Sequence, residues 1–408
     1  MRQNKAKTCK YNQISLENNK RKVRVPISTY ALFLFFLLSM FNTHQFGVSL
    51  SGVIIPILLY VFFSLIDRKR FSFTISHLII LLFWLLAVIS TLLSDIVTPQ
   101  RDIFTFLIFV LFFIASTSKR YTEKEIKLLI GIYIFIATLA SINIIWNFIN
   151  DFAYGWKRYS LYFGGVYRDP NYVSSFILPA ITILFYRILK GFISIKRKLL
   201  VYTIFAVLVL GILCTGSRAA FFVLGVVILV TYLYYLRTIK NIKMVVKTLV
   251  ILILAIIAWQ IIKEILPEFL LTRLTNFGAY TETSRLKLWS TGMNLFYTSP
   301  LFGQGLGSLR EYLFQVGLYD SHNLYLDILI GQGIIGITLL VLMFIRFVIV
   351  NKVDKPFLIL LLISSFAPLI FINGFNTASF WAPMIFCEIL SNYSRYTRGG
   401  LRNTLVSL

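Results

Sequence analysis

The chain has 408 residues, 58% of them hydrophobic and 14% charged, with a net charge of +24 and a mean hydropathy of +0.80. A soluble domain carries about 25% charged residues, so an ordinary soluble enzyme is excluded, and the recurrent apolar runs of ~20 residues point to membrane-spanning helices rather than a barrel. In such a chain the positive charge belongs to loops beside anionic lipid, not to nucleic acid, and Cys9, Cys214 and Cys387 form no metal or disulfide pattern.

A polar, basic segment (1–24) opens the chain. No small-residue cleavage pattern follows the first apolar run, which therefore reads as a retained span. In order, the predicted spans are Val25–Phe41, Val48–Ile66, Phe73–Leu93, Ile103–Thr117, Leu128–Ile149, Asn171–Leu189, Leu199–Gly216, Ser217–Leu236, Thr248–Ile262, Leu324–Val350, Pro356–Ile372 and Asn376–Tyr393. The expected architecture is thus all-α and polytopic. Nine spans fill 25–262, one large loop 263–323, three spans 324–393, and a tail 394–408 closes the chain.

Charge orients the spans. Alternate connections, counting from the N-terminal segment, hold 28 of the 40 Lys/Arg, and the intervening ones hold 10. By the positive-inside rule both termini are cytoplasmic and the long loop is external. External cations are therefore scarce, and each asks for a reason. Arg168 lies in Tyr167-Arg-Asp-Pro-Asn171 at the mouth of the sixth span, Arg218 in the turn that opens the eighth, and Arg285 after Thr283 and Ser284, both read as helix caps. All three stand at outward helix N-termini. There the helix dipole makes an arginine unfavourable by about 0.3–1 kcal/mol unless an anion is bound. Asp169 caps and Pro170 starts the sixth span, which leaves Arg168 just outside it. The grouping suggests a phosphate or pyrophosphate site; a single such arginine also serves as an interfacial anchor or headgroup contact.

The long loop is formally neutral, with five Lys/Arg facing five acids, so its chemistry depends on placed residues. Ser284–Ser299 is amphipathic: Leu286, Trp289, Met293 and Phe296 share a face, and Pro300 ends the run. Gly303, Gly305 and Gly307 lack the Lys-Ser/Thr ending and preceding strand of a nucleotide P-loop, and read as a turn that lets backbone approach neighbouring helices. His322, followed by Asn323 and preceded by Asp320, is the one histidine in the loop; a neutral imidazole there can take a hydroxyl proton. No second His or Cys stands at metal-ligand spacing, so neither metal nor cofactor is expected. Asp327, early in the tenth span, is expected to face protein or water rather than lipid, where it could pair with an external arginine, and Gly331, Gly333 and Gly336 are expected to allow close helix packing. Glu388 reads as solvated or paired near a cytoplasmic end.

The blocks Thr283-Ser-Arg-Leu-Lys-Leu-Trp289, Ser299-Pro-Leu-Phe-Gly-Gln-Gly-Leu-Gly-Ser308, Ser321-His-Asn-Leu-Tyr-Leu326 and Gly331-Gln-Gly-Ile-Ile-Gly336 resemble the O-antigen ligase/polymerase superfamily. Tyr167-Arg-Asp-Pro-Asn171 and Thr215-Gly-Ser-Arg218 match its earlier signatures. The resemblance implies a GT-C-like helical membrane glycosyltransferase of the bacterial plasma (inner) membrane. Such an enzyme works at the external face on an undecaprenyl-diphosphate-linked glycan, without metal or nucleotide sugar. Carried over by motif, Arg168, Arg218 and Arg285 bind the diphosphate and His322 sits at the acceptor. From the residues themselves His322 is the expected base, with Asp320 or Glu282 as the fallback, and Asn323 and Asn171 are expected to support the acceptor. The acceptor is another repeat unit in a polymerase, and lipid A-core or another acceptor in a ligase. The Arg-Asp-Pro-Asn form leans toward a polymerase of O-antigen, capsule or exopolysaccharide. A flippase of lipid-linked oligosaccharide is the alternative of another class, since twelve spans with both ends inside is a common transporter plan.

Overall fold

The computed structural model describes residues 25–41, 51–67, 72–151, 158–163, 166–237, 267–275, 282–318, 321–349, 355–372 and 377–397, with isolated positions in 257–264 and 401–405. These are chiefly helical. The exception is one antiparallel hairpin of two-residue strands, β1 (Tyr162–Phe163) and β2 (Val166–Tyr167). Helices stand on the predicted spans: α1 (Ile27–Phe41), α2 (Ser51–Ile66), α3 (Ile75–Leu92), α4 (Gln100–Thr117), α5 (Glu123–Ile149), α6 (Pro170–Leu189), α7 (Lys198–Thr215) and α8 (Arg218–Arg237). The long loop adds α9 (Glu268–Thr275), α10 (Glu282–Phe296) and α11 (Ser308–Gln315). Then come α12 (Leu324–Ile349), α13 (Lys355–Phe366) with a 3-10 extension (Ala367–Phe371), and α14 (Ala378–Tyr396). The ninth predicted span falls almost wholly outside the described residues.

Seven of the described helices, α3 to α8 and α12, are long and apolar enough to cross a membrane; α1, α2 and α13 with its extension are shorter apolar helices. Side chains such as Leu65, Phe62 and Leu92 remain exposed on them, as lipid-facing surface requires. The last predicted span is of a different kind. From Phe380 to Ser394 every described side chain of α14 is buried, Glu388 and Asn392 included, so its polar content is enclosed by protein rather than spread over a lipid face. α6 is the other central element, with 78% of its apolar stretch buried against 33–50% in the other six long helices. An aromatic column joins them: Tyr133 of α5 stacks on Phe176 of α6 at 4.6 Å and on Phe386 of α14 at 4.5 Å.

Two buried polar clusters fasten the end of the bundle where α1, α3 and α5 begin. In one, Lys119 and Glu125 pair at 2.9 Å with almost no exposure, and the Thr29 hydroxyl accepts from Lys119 at 2.8 Å and donates to Glu125 at 2.7 Å. In the other, Arg346 of α12 meets Glu388 of α14 at 3.4 Å and the Ser76 hydroxyl of α3. Glu388 is therefore paired and enclosed, not solvated. Removing one partner of a buried pair costs about 3–5 kcal/mol, because the other charge is left uncompensated. Lys119→Met is accordingly expected to destabilise the protein by about that amount in detergent thermal unfolding, and Lys119→Met combined with Glu125→Leu to recover most of the loss. Equal melting of single and double variants would refute the pairing argument.

At the opposite end the long loop enters the bundle. α12 is broken at Gly333 (φ 65°, ψ −166°), about 14 Å from its first residue at 1.5 Å per residue. A continuous helix would join Ile334 N–H to the Ile330 carbonyl and Ile335 N–H to that of Gly331. Instead Ile334 and Ile335 donate to the carbonyls of Pro300 and Leu301, at 2.9 and 3.4 Å. The released carbonyls of Ile330 and Gly331 accept from Gln304 and Gly305, at 2.8 and 2.9 Å. Four backbone groups freed by the break are thus satisfied by six residues of loop, as buried backbone demands. The glycines that permit this are not helix-packing glycines. A Cβ on Gly333 would lie 2.1 Å from the Leu301 oxygen, and one on Gly303 2.4 Å from the Gln332 nitrogen.

Candidate functional site

The site is built on the helix ends beside that docked loop. Asp169 caps α6, its carboxylate accepting from the Asn171 N–H at 2.7 Å, and Pro170 occupies the first turn, as predicted. α7 ends on Gly216 in the left-handed conformation (φ 59°), and α8 starts directly at Arg218. Hydrogen bonds lace the two regions together. The Asn171 Oδ1 accepts from the Ser217 hydroxyl at 2.8 Å and from Arg158 Nη2 at 3.0 Å. Arg158 Nε also donates to the Thr215 carbonyl at 3.3 Å, and the Ser174 and Thr215 hydroxyls meet at 3.0 Å.

Arg285 reaches the same place from the long loop. α10 begins at Glu282, so Thr283 and Ser284 lie in its first turn rather than capping it, and Arg285 is the fourth residue. Its guanidinium sits over the Phe371 ring at 5.4 Å. Burial pushes Arg285 below the ordinary arginine range; nearby Asp169 pulls it back up and Arg218 pushes it down again. Arg218 and Arg285, brought from separate parts of the chain, therefore share one electrostatic neighbourhood with Asp169.

One helical turn beyond Arg285, on the same face of α10, Trp289 Nε1 donates to the Ser321 carbonyl at 3.0 Å. Ser321 in turn donates its hydroxyl to Asp327 at 2.6 Å. Asn323 is a helix cap, its side chain accepting from the N–H groups of Tyr325 and Leu326, both at 3.1 Å. Leu324 N–H donates to Ile372, next to the Phe371 that Arg285 covers. Between these fixed neighbours His322 is exposed and held at φ 49°, a region that costs a non-glycine residue about 1–2 kcal/mol. Strain of that size persists where the surroundings impose it, commonly at functional positions.

Arg168 is placed differently from the expectation. Its guanidinium donates to the carbonyls of Ser39 and Met40 at the end of α1, which is how a cation satisfies the last carbonyls of a helix. Burial lowers it to about 10, with Tyr172 and Asp169 opposing. Asp320 and the side chain of Glu282 lie outside the described residues. The structure thus sets Arg285 within the electrostatic reach of Arg218, links the helix of Arg285 to the turn that carries His322 through Trp289 and Ser321, and turns the side chain of Arg168 toward α1. Arg158 was not singled out from the sequence. It appears there only as one of several basic residues in a connection, away from any helix start. Among the described residues no three of His, Cys, Asp and Glu converge as metal ligands would.

Residues 203–341, about a third of the chain, match the family model for O-antigen ligase. That segment contains Arg218, Arg285 and His322 with the loop and α12 motifs, while Tyr167-Arg-Asp-Pro-Asn171 precedes it. The match supports the superfamily resemblance read from the motifs. No curated protein and no solved structure matches the chain.

Proposed function

With a helical membrane protein of the O-antigen ligase/polymerase superfamily as the premise, we propose that the chain is a glycosyltransferase taking a glycan from an undecaprenyl-diphosphate carrier to an acceptor hydroxyl. It polymerises repeat units of a surface polysaccharide. The charge alternation supports twelve spans with cytoplasmic termini and a site at the external face of the bacterial plasma membrane. The observation that carries the reading is the bond from Ser217 to Asn171, which ties the start of α8 at Arg218 to the Asp169-capped start of α6, with Arg285 from the long loop feeling both Asp169 and Arg218. Two like charges at helix starts are unfavourable alone, and a diphosphate between them reverses the sign of both terms.

In the proposed reaction the acceptor oxygen attacks the anomeric carbon as its bond to the diphosphate breaks on the opposite side, which inverts that centre. The departing pair of electrons resides on the diphosphate, where Arg218 and Arg285 stabilise it. The acceptor proton passes to His322, which the fixed Ser321 and Asn323 hold in place. Protein cations carry the developing charge, so the proposed chemistry is metal-independent.

The test is purified full-length protein in detergent with an undecaprenyl-diphosphate-linked repeat unit. A ladder of lengthened glycans is the expected product. Donor recovered chemically unchanged would overturn the enzyme reading and leave the flippase. The family description favours a second reading, a ligase, which would give single transfer to a lipid or other acceptor instead of a ladder. His322→Ala is expected to lower turnover by about 100-fold or more with the protein still in the membrane; wild-type turnover would remove the base assignment.

A further inference from the structure

We propose that Arg158 is a positioning residue of the donor site, acting through Asn171 on the turn that presents Arg218, and that Arg168 instead fastens α1. This rests on the donor-site reading above. The bonds that set the start of α8 lead back to one amide. Ser217, immediately before Arg218, is held by Asn171 Oδ1. Asn171 belongs to the first turn of α6, and the guanidinium of Arg158 bridges from it to the Thr215 carbonyl that closes α7. One planar side chain therefore ties together the end of α7, the start of α6 and, through a shared acceptor, the start of α8.

The residue type at 171 points to an anionic ligand. An amide oxygen and a carboxylate oxygen can both accept from a guanidinium and a hydroxyl, and the carboxylate makes the stronger charge-assisted bonds. An aspartate here would hold Arg158 more firmly while cancelling positive charge beside Arg218. The amide keeps the same geometry and leaves the cluster cationic. Arg168 supplies the contrast: its guanidinium goes to two backbone carbonyls of α1, a helix-capping use that needs no ligand.

The experiment measures turnover of the undecaprenyl-diphosphate-linked glycan by full-length protein in detergent, as kcat and KM for the donor, at low and high salt. Asn171→Asp keeps both accepted bonds and strengthens the one from Arg158, so it should purify and melt at or above the wild-type temperature. Its KM for the donor is expected to rise ~10-fold or more, with the effect shrinking as salt rises. Arg158→Lys keeps the charge but loses the fork, and is expected to lower kcat ~10-fold with little change in KM. A purely structural role would lower the melting temperature and leave the salt dependence of KM alone. Wild-type kcat and KM in both variants, alongside an inactive Arg285→Ala, would overturn the role of Arg158 while leaving the donor site standing. An active Arg285→Ala would instead remove the donor site, and this inference with it. If Asn171→Asp does not purify, the kcat and KM of Arg158→Lys decide the question.

Discussion

Arg285→Ala is expected to lower glycan transfer by about 10²–10³-fold, the range seen when one preorganised group facing developing charge is removed. Arg218→Ala should do the same, and the double variant should lose less than the product of the two, because groups that act as a unit are not additive. The stability of the donor-free protein is expected to move the other way or not at all. Taking away Arg285 forfeits a cation–π contact with Phe371 worth about 0.5–1 kcal/mol. It also forfeits the attraction of Asp169, while relieving the cost of burial, the repulsion from Arg218 and an unfavourable dipole term of about 0.3–1 kcal/mol. The terms nearly cancel. A variant inactive and unchanged in melting temperature fits a residue kept for its ligand; one destabilised by more than ~2 kcal/mol would mean that Arg285 holds the loop instead. Binding of undecaprenyl diphosphate to the same variants, followed as a shift in melting temperature, separates loss of ligand from loss of chemistry.

Gly333→Ala should disable the protein from a position that touches no substrate. At φ 65° and ψ −166° Gly333 occupies a region open essentially to glycine alone. An added methyl would meet the oxygen and carbon of Leu301 at 2.1 and 2.3 Å. Those are backbone atoms and cannot swing aside as a side chain would. The loop at Pro300–Gly305 must leave the helix, and the four exchanged backbone hydrogen bonds go with it. At about 0.5–1.5 kcal/mol each, the loss is several kcal/mol, before any penalty for groups left unpaired at that depth. α10 and α11 pack on α12 through a small apolar cluster that includes Leu288, Leu309 and Ile330, so releasing the loop also displaces Arg285 and Trp289. Loss of transfer by ~100-fold or more is expected, together with new protease cleavage between residues 276 and 320 in a protein still inserted in the membrane. Full activity with an unchanged digestion pattern would show that the loop does not depend on the break.

Reading Gly331 and Gly333 as helix-packing residues failed for a physical reason. A helix pattern of small residues looks the same whether the approaching partner is another helix or a loop. Only the exchange of hydrogen-bond partners at Ile330–Ile335 distinguishes them. The turn-forming role of Gly303 and Gly305, by contrast, was legible, because positive φ is a property of the local chain. For Asp327 the sequence leaves protein or water open; its carboxylate takes the hydroxyl of Ser321 at 2.6 Å, a pairing six residues apart that no spacing rule singles out.

What the amino-acid sequence determined by itself follows from solvent and from short range. Hydrophobic runs locate helices, because an apolar bilayer admits only chains that satisfy their own backbone. Charge alternation proposes an orientation, and Asp169-Pro170 marks a helix start that the structure places at the same residues. The tertiary structure decided where each cation goes. Arg168, Arg218 and Arg285 look equivalent along the chain, each a cation beside a helix N-terminus. The direction of a long side chain, however, depends on acceptors supplied by remote segments: the open carbonyls of α1 for Arg168, and the ring of Phe371 for Arg285. Arg158 became visible only when folding brought Asn171 and Thr215 to its two ends. Hydrogen bonds and Coulomb forces act at a few ångströms, and only the fold sets which residues lie that close.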